Sequence, residues 1–105
     1  MPIKSRYNSN SSGGVNYGHD VIVSIISLAT MEIRGVSCLV GKKVKTLFLG
    51  KEISVEVYIK VGIGFSCAEV AYRVQENIKR SVEGMTSYRI AKANVNVQGV
   101  CFENN

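Results

Sequence analysis

The period of the hydrophobic positions changes along the chain, and each change marks an element. Ile22, Ile25, Ile26, Ala29 and Ile33 recur at helical spacing. Asp20 stands before them as an N-cap, and Gly35 follows where a helix needs a left-handed residue. The spacing predicts a helix over 21–34. Val36–Val40 is a short β-prone run ended by Gly41, and Thr46–Leu49 runs into the turn-like pair Gly50-Lys51. From Ile53 to Val61 every odd position is aliphatic, while the even positions are Ser54, Glu56, Tyr58 and Lys60. Period two of that regularity predicts a strand with one buried and one wet face.

A second helix carries several agreeing start signals. Ser66 and Glu69 have capping-box spacing, and Phe65 and Val70 can close a hydrophobic staple across them. Val70, Val74, Ile78 and Val82 follow at steps of four, and Gly84 marks the expected end. Glu69 with Arg73, and Glu76 with Arg80, stand at i,i+4 on the outer faces. The last segment alternates again, with Ala93, Val95 and Val97 on one side and Asn94, Asn96 and Gln98 on the other. The strand–helix–strand unit over 53–98 predicts a right-handed parallel crossover. The order is α-β-β-α-β, with a further short strand around Leu47–Leu49. It predicts a two-layer α/β sandwich: two helices packed on one face of a small mixed sheet of three to four strands.

A length of 105 residues, with 46% hydrophobic and 20% charged, suits one globular domain. Residues 1–19 read as a flexible polar tail because Asn8-Ser9-Asn10-Ser11-Ser12-Gly13-Gly14 cannot bury enough surface to order itself. The domain is expected over 20–102, with 103–105 as a C-terminal tail. The apolar run Val21–Met31 is 11 residues long, against the roughly 20 that a membrane-spanning helix needs. It also lacks the basic flank and the cleavage site of a leader. Cys38, Cys67 and Cys101 are odd in number and widely spaced. Neither a disulfide framework nor a zinc site is expected, and a reducing cytoplasm is the natural location.

The net charge of +5 and the pI of about 9.3 admit an anionic partner. Much of the excess is local: Lys42, Lys43, Lys45 and Lys51 fall within a segment that has no acid. They are candidate contacts for phosphates of RNA or of a lipid surface. No Arg and no aromatic other than Phe48 is interleaved to stack bases, so a solvated lysine loop is the plainer reading. Gly50-Lys51 fails as a phosphate loop, since Lys45 stands where a glycine is needed and Glu52 where Ser or Thr is needed. Gly62-Ile63-Gly64 fails as a dinucleotide fingerprint because the third glycine position is Cys67. His19 has no Cys, Ser or acid at a telling spacing, Cys67 reads as a small partly buried helix residue, and Cys38 and Cys101 read as core. No nucleophile–base pair can be assembled and no cofactor is implied, so an enzyme is not expected. A small RNA-binding domain using the lysine loop is the alternative to an interaction protein. If the last strand lies at a sheet edge, neutral Asn94, Asn96 and Gln98 leave it open to self-association, and proline at position 96 removes a mid-strand donor.

Glu69-Val70-Ala71, Val74-Gln75-Glu76-Asn77, Val82-Glu83-x-Met85-Thr86 and Val95-Asn96-Val97-Gln98-Gly99-Val100 together resemble the alkaline shock protein family of small bacterial proteins. The resemblance runs from about Asp20 to Phe102. It is looser in the first half, at Ile33-Arg34-Gly35-Val36 and over 53–61. It implies no catalytic residue. It implies a cytoplasmic protein of the cell-envelope stress response, which either self-associates or is held at the membrane by a partner protein.

Overall fold

The computed structural model describes residues 18–40 and 44–102. Residues 1–17 and 103–105 of the expected tails lie outside the described residues, as do Lys42 and Lys43. The elements are α1 (His19–Met31), β1 (Val36–Leu39), β2 (Lys45–Leu49), β3 (Glu52–Gly62), α2 (Cys67–Met85) and β4 (Arg89–Cys101). The expected two-layer sandwich is present, with the short second strand included.

β3 is the centre of a mixed sheet. β4 pairs with it in parallel along its whole length, through the crossover made by α2. β1 and β2 share the other side of β3, both antiparallel: β1 against residues 59–61 and β2 against residues 52–56. They are two lengths of one edge. Gly50, at φ 62°, makes the hairpin turn from β2 into β3.

The core lies where the periods met. Ile53, Val55, Val57, Ile59 and Val61 are buried on one face of β3. Ile22, Ile25, Ile26 and Ala29 of α1 and Val70, Val74, Ile78 and Val82 of α2 pack onto them. Each fully buried side chain of this kind is worth about 1.5–3 kcal/mol relative to exposure. Asn77 ties the helices together, its Nδ2 donating to Ala29 O at 2.8 Å and to Glu32 Oε1 at 2.9 Å.

The element ends depart from expectation in instructive ways. α1 begins at His19 with Gly18 as N-cap and no side-chain cap; Asp20 sits inside the first turn. The helix stops at Met31, and Ile33 instead enters a turn that leads to Gly35. Gly35 has φ 107°, and a Cβ there would stand 2.7 Å from Val70 Cγ2 and 3.0 Å from the Phe65 ring. Its glycine is required by close approach to α2 as well as by conformation. At α2 the Ser66 cap is as expected, with Oγ accepting from the Glu69 N–H at 3.2 Å. Gly84 does not end α2, which runs on to Met85. Thr86 ends it by turning extended while its hydroxyl donates to Val82 O at 2.8 Å. Arg73 and Glu69 close their ion pair at 2.7 Å, whereas among the described residues Glu76 and Arg80 do not. Such solvated pairs contribute little either way.

Candidate functional site: the open sheet face and its edges

Both helices cover one face of the sheet, so the opposite face is left to solvent. Register fixes its layout. Lys45 lies opposite Glu56 and then Asn94; Leu47 opposite Ser54 and then Lys92; Leu49 opposite Glu52 and then Arg89. A shallow depression of about 310 Å³ opens between Lys45 and Lys92, with Ser54, Glu56 and Asn94 in its lining. Asn96 Nδ2 donates to Glu56 Oε2 and to Val57 O, both at 3.3 Å, which holds the carboxylate against the sheet.

The expected lysine loop is not one loop. Lys45 belongs to β2, with Nζ 5.5 Å from the centroid of the Tyr58 ring. Lys51 sits in the β2–β3 turn, where Nζ donates to Ser87 Oγ at 3.0 Å and lies 5.5 Å from the Tyr88 ring centroid. Lys45 therefore joins Asn94 and Asn96 on the open face, while Lys51 ties the hairpin to the start of β4. What sequence reasoning missed is the pair between them. Leu47 and Leu49 were expected only as part of a short strand, and they are 58% and 66% exposed. Their partners in the layer are Thr46 and Phe48, which turn toward the helices. Period-two alternation separates the two pairs, but only the register against Ser54 and Glu52 shows which of them faces out.

β4 is an edge strand, paired with β3 alone. That edge is better closed than its composition suggests. α2 reaches over it twice: Gln75 Nε2 donates to Ala93 O at 2.9 Å, and Glu83 Oε2 accepts from the Ile90 N–H at 2.9 Å. Register shifts pass over Ala91 and Gln98, so Gln98 lies in an irregularity and the regular stretch shortens to 92–97. Backbone groups alternate sides along a strand, and Ala93 O points away from β3 toward Gln75. Val95 and Val97 therefore face outward with their backbone, and the N–H groups of Asn94 and Asn96 face β3. Proline at position 96 would remove a ladder bond rather than an edge donor.

The remaining candidates separate in space. His19 stacks on Phe48 with ring centroids 3.8 Å apart, and Phe48 meets Tyr88 edge-on. Cys67 is partly buried, as expected. Cys38 is exposed instead of core: the β1 irregularity at Ser37 sets it opposite Lys60, on the open face. Cys101 is half-buried. No three His, Cys, Asp or Glu side chains gather in a metal-holding group among the described residues. The outer side of α1 presents Val21, Leu28 and Met31, all exposed. No helix among the described residues is long and apolar enough to cross a membrane.

Comparison with known proteins agrees with this architecture. Variants of the MamM CTD share the fold at 18% identity and a TM-score of 0.65, over 77% of this chain and 94% of that one. Its copper form matches at 16% identity and 0.66, over 78% and 98%. At such identities the likeness concerns the fold. The uncharacterized protein YqhY of Bacillus subtilis (strain 168) is 29% identical over 117 residues, covering 96% of this chain and 87% of that protein. The model of the alkaline shock protein 23 family, described by a cell envelope-related function, matches residues 39–102. That span takes in β2, β3, α2 and β4, and the chain belongs to this family.

Proposed function

We propose that this protein is a non-enzymatic interaction module, working on the cytoplasmic side of the cell envelope in stress response or homeostasis and docking a protein partner or a second copy of itself. The observation that carries the reading is the outer side of α1. From Val21 to Met31 the helix has no charged residue, and Leu28 in its last turn is 67% exposed. Val21 and Met31 are exposed with it, beside Asp20 and the short hydroxyls of Ser24 and Ser27, so apolar groups stand uncovered on the side turned from the core. The scatter of His19, Cys38, Cys67 and Cys101 across separate regions supports a role without catalysis.

In-cell crosslinking of the wild type and of Leu28→Glu tests this. Leu28 is exposed, so the substitution should shift stability by less than about 0.5 kcal/mol. The wild type should crosslink to an envelope protein or to a second copy, and Leu28→Glu should lose that product. Identical products from both proteins would overturn α1 as the docking surface.

A further inference from the structure

We propose that the β2–β3 end of the open sheet face docks directly on an anionic lipid surface. Lys45, Leu47 and Leu49 project from one face of β2, so the outward row reads Lys, Leu, Leu, while Lys51 in the turn reaches instead to Ser87 and Tyr88. Two exposed leucines about 7 Å apart along the strand, with Lys45 at one end of the row, form a small wedge for the headgroup–acyl boundary. Long lysine stems can lie along the apolar layer while their charges stay at phosphate level. Lys92 and Arg89 bring two more cations to the same end from β4, in register with Ser54 and Glu52. Lys45, Lys92 and Arg89 outnumber the two acids of this end, Glu52 and Glu56, and Glu56 is already held by Asn96. The depression between Lys45 and Lys92 has the polar lining, Ser54 and Asn94, that a phosphate headgroup uses.

Charge complementarity selects lipid over RNA here because of what lies between the cations. Base recognition needs exposed aromatic platforms. This face offers Tyr58, half-buried and with Lys45 Nζ near its ring, whereas its most exposed apolar groups are aliphatic. The proposal rests on the envelope reading only in that a bilayer must be within reach, and it is independent of α1.

Co-sedimentation of the full chain with vesicles tests it, comparing an equimolar phosphatidylglycerol–phosphatidylcholine mixture with phosphatidylcholine alone. The mixed vesicles should be preferred, and binding should weaken with salt without vanishing. Replacing Lys45 and Lys92 with alanine should lower partitioning by roughly fivefold per cation. Leu47→Ser with Leu49→Ser should lower it by about tenfold and abolish the salt-resistant part. Leu28→Glu should bind as the wild type does, which separates this surface from α1. Equal binding by the leucine double variant would overturn the proposal, as would an absence of preference for anionic vesicles. Single-stranded RNA that displaces the protein from vesicles, with affinity unchanged by the leucine substitutions, would overturn it in favour of nucleic acid. A thermal melt of each variant confirms folding, which these exposed positions should preserve.

Discussion

The two helices lie side by side on the same sheet face, yet they meet water in opposite ways. α2 buries Val70, Val74, Ile78 and Val82 and turns Glu69, Arg73, Glu76, Lys79 and Arg80 outward. α1 buries Ile22, Ile25, Ile26 and Ala29 and turns out Val21, Leu28 and Met31. Folding needs only the inner stripe of each. The outer side of α2 carries these five charges beside Tyr72 and Met85, whereas α1 sets Val21, Leu28 and Met31 beside Asp20 and Ser24. The difference teaches that core packing and outer composition are set by separate demands, and the docking role proposed for α1 would account for the second.

The sharpest probe of this comparison is truncation of the matching inner positions. Ile26→Ala and Ile78→Ala each remove a fully buried side chain and should each cost about 3 kcal/mol in urea denaturation. Equal losses mean that both helices are held by the core alone. A much smaller loss at Ile26 would mean that α1 is loosely seated without its partner, which would break the comparison.

A second probe uses the edge that α2 closes and α1 does not. Asn96→Pro deletes a β3-facing donor and the bonds to Glu56 and Val57, so its loss should approach that of the core truncations. Val95→Pro deletes an outward donor, which an edge strand tolerates, and should retain most of the stability. Light scattering on the same samples reads self-association. A wild type that remains monomeric at high concentration would exclude β4 as a pairing edge.

The smallest expected effects are at the helix starts. Ser66→Ala removes the acceptor of the Glu69 N–H and should cost about 1 kcal/mol. Gly18→Ser supplies α1 with the hydroxyl that it lacks and should gain a few tenths of a kcal/mol. If Ser66→Ala leaves the midpoint unmoved, the capped start of α2 is not what holds it.

Local periodicity made much of this legible. The core of β3 and the inner stripes of both helices follow from spacing alone, and the Ser66 cap from its neighbours. What escaped was decided partly by partners across the crossover and partly by local bonds and irregularities that spacing does not reveal. Thr86, through its own hydroxyl, displaced Gly84 as the end of α2. Gln75 and Glu83 reached β4 across a crossover that composition does not reveal. Cys38 turned outward because of an irregularity at Ser37. At the candidate face the lysines were visible as a charge run, while Leu47 and Leu49 were hidden by their own hydrophobicity. Only the register against Ser54 and Glu52 shows which side they take.

The central position of β3 also has a consequence for how the chain assembles as it is made. β1, β2 and β3 emerge consecutively and can zip into an antiparallel hairpin by local contacts. The opposite edge of β3 then waits for residues 63–88 to be translated before β4 exists to pair with it. During that interval the nascent chain offers an open strand to any passing β-segment. α2 is synthesised first and can shield the aliphatic face of β3 before β4 arrives, so the crossover helix stands guard over the sheet that it connects.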